Sequence, residues 1–577
     1  MEEKTKQKQG GKSPENGGYA PPYTAFTDQP VKLFCPGYEC TDKGVRTENG
    51  QLVCLHPILP TGALRNADDM SIRMKVAFRA SGRWETAVLP RAKIASATGI
   101  LELADLGVAV TNDNARALST YLTKLFYAND GILETKVSLS RLGWLTEYGD
   151  RFAPYDDALE VDTEQAFFEK LKAVHLKGRE EKWLEAVRPL IEKSLQARLA
   201  LDASFASVLL PLMQLQPFFV HLWGRTGLGK TVLLQLAASV WGDPRPGKLL
   251  GTFNATGVGL ETTAAFLHHL PVCIDELQIL SAAGRTDFQQ TIYLLSEGTG
   301  RTRGAKDGGL RKQNTWCCTF LTTGERPLNS EFSYGGAVNR SIELELEEPV
   351  TEDFAFLANA LQNNYGFAGY RYTEFVKSKR HLLENTYNTH LRELLDRGVS
   401  GKQAFAMAAL LTADDYAGAS VLDPKGELPG ISYDTAAALL IKDAEVCREA
   451  QGVNYLFDMI AANPAKFPDT KSPYQNYEVW GKPRGEYTAV IGTVFDKLMR
   501  DGGYDPRAVL SYASRQGLLQ KGDLHNKMVV RFGNKNVRCV VIKPDLISAE
   551  TQNDEPAVQQ NNNDASVAQT TYEQQEM

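Results

Sequence analysis

The sequence predicts a multidomain α/β chain built around a parallel-sheet core, and three observations carry that expectation. Its 577 residues exceed what one hydrophobic core holds, since domains usually run ~100–200 residues. Between residues 203 and 350, strand-like apolar runs alternate with helical patterns, the texture of βαβ units. On either side that texture stops: short runs punctuated by Gly, Pro and Asn precede it, and helical periodicity follows it.

The elements follow in chain order. Residues 1–27 are polar and rich in Lys, Gly and Glu, and read as a disordered tail; without an apolar stretch they are not a signal peptide. Residues 28–160 form a β-rich α+β domain, with runs such as Gln51–Ile58, Ile72–Phe78 and Arg83–Leu89 and a helix at Ala115–Tyr127. A helical connector spans 161–202, the parallel-sheet core 203–350, and a second helical region 351–470, with an Ala-rich stretch at Lys402–Ala417. In 471–546, helical Ala489–Asp501 and a helix at Asp505–Gln516, with Pro506 in its first turn, precede two strand-like runs. Those runs, Lys527–Phe532 and Val537–Ile542, are joined by Gly533–Asn536, the outline of a winged helix. Residues 547–577 are Gln/Asn-rich and acidic, and read as disordered.

Composition narrows the function classes. The chain is 43 % hydrophobic and 23 % charged, ordinary for a soluble globular protein, which excludes collagen-like, fully disordered and membrane-channel classes. The net charge of −7 comes mostly from the segment after Ala549, which holds acids and no Lys or Arg. An acidic balance of that origin says nothing against nucleic-acid binding, which depends on local patches. The most apolar stretch, Phe205–Trp223, is interrupted by Pro211, Gln214, Gln216, Pro217 and His221, so it reads as a buried helix and strand, not a membrane span. Eight sparse cysteines point to a reducing cytoplasm. Cys35, Cys40, Cys54 and His56 raise the question of zinc, but their spacing fits no common template, and packed reduced thiols are the alternative.

The strongest signal is Gly224-Arg-Thr-Gly-Leu-Gly-Lys-Thr231, after the strand-like Phe218–Trp223 and before the helical Val232–Val240. Gly224, Gly227 and Gly229 let backbone N–H groups close around phosphate oxygens, and the helix N-terminus adds its dipole. Lys230 would reach the β/γ-phosphates, and the Thr231 hydroxyl would hold Mg²⁺. A P-loop ATPase also needs a carboxylate on a neighbouring strand, and Leu270-Pro-Val-Cys-Ile-Asp-Glu276 supplies two. Asp275 would hold Mg²⁺ and Glu276 would polarise the attacking water, which favours hydrolysis over nucleotide storage. A third strand, Thr315–Leu321, ends in Thr322 and Thr323, both candidates for sensing the γ-phosphate. Arg340, before the strand-like Ser341–Leu346, could act on a neighbour's γ-phosphate as an arginine finger.

Between the acid-bearing strand and the Thr322 strand lies Gly298–Lys312, with five glycines, five basic residues and one acid. Gly308-Gly309 suits a tight hairpin turn, and a glycine-rich basic hairpin suits close approach to a phosphate backbone. Lys306, Arg311 and Lys312 are the preferred contacts; without interleaved aromatics the contact would be sequence-neutral. Lys527, Arg531, Lys535, Arg538 and Lys543 make the winged-helix segment basic, although such modules also bind proteins.

Taken together, these residues resemble the AAA+ self-loading replicative helicases of staphylococcal cassette chromosomes and related prophage-like elements, akin to archaeal MCM. The similarity rests on Arg83-Trp84, Leu89-Pro-Arg91, Arg141-Leu-Gly-Trp144, Gly224–Thr231, Asp275-Glu276, the Gly304–Arg311 hairpin, Thr323-Gly-Glu325 and Asn364-Tyr-Gly366, across residues 30–545. The resemblance implies an AAA+ core with a helical lid and a hexameric ring with ATP and Mg²⁺ between subunits. Lys230, Thr231, Asp275 and Glu276 would serve from one side and Arg340 from the other. It further implies a hairpin facing the central channel, 3′→5′ translocation on single-stranded or forked DNA, and no small-molecule substrate other than ATP. Arg397 and Lys402 are the candidates for a second, lid-borne sensor. Rival classes are an ATP-driven loader or remodeller that does not unwind, and a non-hydrolysing nucleotide-gated scaffold; a primase in residues 28–156 lacks an acidic metal-binding set.

Overall fold

The computed structural model describes residues 23–148, 150–163, 165–252, 256–276, 292–304, 309–310, 312–328, 340–440, 448–468, 478–520 and 526–543. The chain divides into two compact units, Met1–Val446 and Cys447–Met577.

In the first unit, five parallel strands form the central sheet, in the spatial order Leu250–Thr252, Val272–Asp275, Thr319–Gly324, Phe218–Trp223, Ser341–Glu345. Strands covered on both faces read as continuous apolar runs, and Phe218–Leu222 is buried throughout. In chain order the sheet runs fifth, first, fourth, third, second, which places the first, third and fourth strands side by side. Their carboxyl ends carry the glycine loop, Asp275 and Thr323, and ligands bind at such ends.

The hydrophobic core under this sheet continues without a break into the helices that follow it. Gly401–Ala417 is buried around most of its circumference, which its Ala content allows, and lies against Leu195–Ser207 and Phe367–Asp396. Gln403 Nε2 donates to Ser341 O at 3.0 Å, tying this helix to the edge strand.

One buried group here sets a pH dependence. Asp202 is fully buried on Leu195–Ser207, and neither of its oxygens has a hydrogen-bond partner among the described residues. Arg198 is engaged by both oxygens of Asp414 at 2.7 Å, and Asp415 and the Tyr372 hydroxyl also lie nearby. Burial, then the Asp414 charge, hold the Asp202 carboxyl well above the usual carboxylate range. A raised folded-state pKa contributes stability below the unfolded value and loses it as pH rises. Asp202→Asn is therefore expected to melt higher than the parent at pH 8, with a smaller gain at pH 5; an equal shift at both would show that Asp202 folds ionised.

The N-terminal part holds a mixed sheet ordered Leu159–Val161, Thr135–Leu139, Ile58–Asn66, Ile72–Ala80, Arg83–Pro90. Helix Ala115–Ala128 packs Leu118, Tyr121, Leu122 and Leu125 into the core on one face of this sheet. The small sheet Tyr38–Thr41, Gly44–Thr47, Leu52–Cys54 buries Cys40 and Cys54 in the same core, with Cys35 beside them. Cys35 Sγ donates to Tyr38 O at 3.6 Å, and Cys40 Sγ lies 3.5 Å from the Tyr121 hydroxyl. Cys35, Cys40 and Cys54 are buried free thiols, and among the described residues no group of three or more His, Cys, Asp or Glu is placed to hold a metal ion. No helix among the described residues is long and apolar enough to cross a membrane.

The second unit has helices Arg448–Ala462, Gly492–Asp501 and Pro506–Arg515 and a four-stranded antiparallel sheet. Its order is Gly481–Arg484, Tyr487–Ile491, Lys535–Ile542, Met528–Phe532. Two details differ from the sequence expectation. Ala489–Ile491 is strand, not helix, because its alternate residues Ala489 and Ile491 line a sheet face with Cys539 and Val541. The basic hairpin turns through Gly533-Asn534 alone, with Phe532 opposite Lys535, because Gly533 at φ +55° suits a two-residue turn. Gly485 at φ +63° makes the same kind of turn in the unexpected first hairpin.

Candidate nucleotide and DNA sites

The glycine loop is shaped by close approaches. Gly224 adopts φ +142°, and a Cβ there would lie 2.5 Å from Leu346 O. Gly229, at φ +96°, forms the N-terminal cap of helix Lys230–Ser239, and a Cβ would meet Phe354 at 2.5 Å and Val350 at 2.6 Å. The first-turn N–H groups of that helix therefore open onto the cleft without a side chain between, a ready anion site. Lys230 Nζ donates to Gly224 O at 2.7 Å and Arg225 O at 2.8 Å, which keeps the ammonium over the loop. Burial lowers its pKa, while Glu325 and Asp275 act against that lowering.

Opposite the loop, Thr323 Oγ1 donates to Asp275 Oδ1 at 2.5 Å and accepts from the Glu276 N–H at 2.9 Å. One hydroxyl thus fixes both acids. Thr322, its neighbour, points the other way and lies 2.9 Å from His221 Nδ1 in the core, as alternation along a strand requires. Of the two candidate threonines, only Thr323 faces the cleft. Glu276 sits at φ +64°, a left-handed conformation that costs a non-glycine residue ~1–3 kcal/mol and concentrates at functional sites. It is exposed and directly follows the strand Val272–Asp275.

Together Gly227, Gly229, Lys230, Thr231, Asp275, Glu276 and Thr323 line one cleft of about 410 Å³. Thr226, Val232, Gly324, Glu325 and Phe354 line it as well. Glu325 accepts from Thr226 Oγ1 at 2.8 Å, and Phe354 lines the cleft beside Gly229. The acid in Thr323-Gly-Glu325 was visible in the sequence; Phe354 carried no local signal. Carboxylate and hydroxyl oxygens of Asp275 and Thr231 in one cleft suit Mg²⁺, which prefers hard oxygen donors.

Arg340 lies elsewhere. Its backbone carbonyl accepts from the Phe219 N–H at 2.9 Å, at the amino end of strand Phe218–Trp223, opposite the loop. Arg397 is paired with Glu393 and Asp434, both at 2.8 Å, and neither it nor Lys402 reaches the cleft. Lys402 instead lines a separate cavity with Arg340 and Phe405.

The basic Gly298–Lys312 segment is a hairpin where described: Thr299 pairs with Thr315 and Gly304 with Leu310, both antiparallel. Lys306 and Arg311 lie outside the described residues. Lys312 is exposed and donates to Asp68 O at 3.0 Å. Arg303 is held by Glu261 at 2.7 Å, and Leu310 is 74 % exposed. In the second unit, Lys527 pairs with Asp496 at 3.0 Å and Lys543 with Glu486 at 3.2 Å, while Arg531, Lys535 and Arg538 are exposed. Arg507, Ser511 and Arg515 share the exposed face of helix Pro506–Arg515.

A five-stranded parallel sheet with a glycine loop and paired acids at its carboxyl edge makes the first unit part of a mixed α/β, multidomain protein. Two family models narrow this further: a domain of unknown function (DUF927) matches residues 33–315, and the Cch helix turn helix domain matches 449–546. The chain is Cch-like, as its sequence resemblance indicated. No curated protein matches. Among solved structures, the active helicase Cch of SCCmec type IV is similar at 16 % identity, TM-score 0.67, covering 88 % of this chain and 97 % of that one. The NrS-1 C-terminal region aligns at 10 % identity and TM-score 0.30, over 83 % of this chain and 96 % of that one.

Proposed function

We propose that the chain is an ATP-dependent DNA helicase of the AAA+ type, acting as a hexamer in replication of a mobile element or prophage. The observation that carries this reading is the convergence of Lys230, Thr231, Asp275, Glu276 and Thr323 in one cleft, on the three adjacent strands of the sheet. The fifth-first-fourth-third-second strand order and the helices after residue 350 support the AAA+ assignment with a helical lid.

In that reading Thr231 and Asp275 would hold Mg²⁺, which would supply charge neutralisation at the phosphates. Lys230 and the helix N-terminus bind the β/γ oxygens, Glu276 polarises the attacking water, and Thr323 holds both acids in register. Arg340, distant from its own cleft, serves the neighbouring subunit's ATP. The basic hairpin, with Lys306, Arg311 and Lys312, follows the phosphate backbone of one strand. The chain would work in the cytoplasm, with DNA and its own copies as partners.

A forked-duplex unwinding assay with ATP turnover followed in the same tube tests this, with Lys230→Ala as control. Strand release that needs ATP and vanishes in Lys230→Ala supports the helicase. Turnover without release, on forks with either tail, moves the assignment to a loader or remodeller. No turnover at all leaves a nucleotide-gated scaffold. For the hairpin, Lys306→Ala with Lys312→Ala is expected to flatten the salt dependence of single-strand binding by about 1.4 in log–log slope, ~0.7 for each phosphate contact. An unchanged slope would remove both lysines from the DNA interface.

A further inference from the structure

Arg340 is occupied within its own chain. Its Nη1 donates to Glu297 Oε1 and to Ser296 Oγ at 3.1 Å, and its guanidinium lies 4.9 Å from the Tyr293 ring centroid. Its side chain is only 14 % exposed, and its Nε is buried without a partner among the described residues. About six residues of extended strand, ~20 Å, separate this position from the glycine loop, so Arg340 does not reach its own nucleotide cleft. The same Nη1 cannot serve Glu297 and a neighbour's phosphate in one geometry. These are two alternative partners.

Glu297 is placed to choose between them. It follows the helical turn 292–296 and directly precedes Gly298, where the chain enters the basic hairpin. Gly298 sits at φ +74°, and a Cβ there would lie 2.8 Å from Trp316 O. Trp316 N donates to Gly298 O at 2.9 Å, and Trp316 Nε1 donates to Leu295 O at 2.7 Å. Gly300 N donates to Asn314 O at 2.8 Å. Helix end and hairpin stem are therefore locked as one piece, and a displacement of the stem carries the Glu297 carboxylate with it.

We propose that Glu297 is a positioning residue that holds Arg340 in reserve and releases it when the hairpin engages DNA, coupling DNA contact in one subunit to hydrolysis in the next. The proposal rests on the reading above that Arg340 acts in trans. A half-buried charge-assisted pair is strong enough to bias the arginine and weak enough to yield to a phosphate, which carries more charge.

The test uses the full chain with Glu297→Gln, which keeps the shape and removes the charge. ATP turnover is measured with no DNA and with saturating oligo-dT, alongside Arg340→Ala and the double variant. DNA-free turnover in Glu297→Gln is expected to rise roughly three- to tenfold, so that stimulation by DNA falls toward unity. The double variant is expected to return to the low turnover of Arg340→Ala, which a merely structural Glu297 would not produce. A Glu297→Gln protein with the parent's stimulation ratio, or with both rates lowered equally, overturns the proposal. The underlying reading fails separately. If Arg340→Ala hydrolyses ATP normally, or if mixing Arg340→Ala with Lys230→Ala subunits restores no turnover, the arginine does not act in trans.

Discussion

Glu276→Gln is expected to bind ATP as tightly as the parent and to hydrolyse it at least ~10²-fold more slowly, a loss of ~2.7 kcal/mol or more of transition-state stabilisation. The amide is isosteric, so the left-handed backbone and the hydrogen bond from Glu276 N–H to Thr323 Oγ1 persist. In the proposed role, what disappears is the carboxylate that would polarise water, and that matters only as the bond to phosphorus forms. The substitution should therefore lower turnover without changing nucleotide affinity. Parallel measurement of fluorescent-nucleotide binding and steady-state phosphate release decides it. Normal phosphate release would transfer the role to Glu325, the other glutamate in the cleft. Loss of both binding and turnover would mean that the substitution collapses the Asp275–Thr323 pair.

The contrast between Thr322 and Thr323 shows how far the sequence reached. Its apolar run located the strand and its polar end, but the facing of each threonine depends on register against Phe218–Trp223, a long-range property. That the glycine loop and Asp275-Glu276 share one cleft was legible because their signals are local: glycines, a lysine and two acids at the ends of buried runs. Phe354 was not, because it approaches Gly229 only after the chain has left the sheet and started a new helix. Ala489–Ile491 was assigned to a helix because a short apolar run before a helical pattern has no period of its own; pairing with Cys539–Val541 decided it. The engagement of Arg340 by Glu297 was equally hidden, since it joins residues on different elements.

A large stability effect is expected at Gly143, in the Arg141-Leu-Gly-Trp144 run. Sequence flagged this run only through resemblance; the fold supplies its physical reason. Gly143 sits at φ +97°, and a Cβ there would lie 2.6 Å from His269 Cβ and 2.7 Å from its Nδ1. The Trp144 N–H donates to that same Nδ1 at 3.0 Å, and Trp144 Nε1 donates to Val208 O at 2.7 Å. Burial first, then the neighbouring His268, hold the His269 imidazole well below the usual histidine range, so it stays neutral and accepts. His269 O in turn accepts from Ser207 Oγ at 2.8 Å, and Ser207 Oγ accepts from Thr319 N–H at 3.1 Å, on the strand that carries Thr323. On the other side, Arg141 pairs with Asp68 at 2.9 Å, and the Asp68 carbonyl accepts from Lys312 of the hairpin. Gly143→Ala combines a left-handed backbone with a buried clash, each ~1–3 kcal/mol, so a loss of about 3 kcal/mol is expected. At ~2–4 °C for each kcal/mol, the melting temperature of the first unit should fall by about 6–12 °C. Melting within a degree of the parent would show that the loop relaxes away from His269. If the protein melts low yet keeps full DNA stimulation of its ATPase at permissive temperature, the loop supports the fold alone; reduced stimulation would show that it also transmits between the N-terminal domain and the acid-bearing strand.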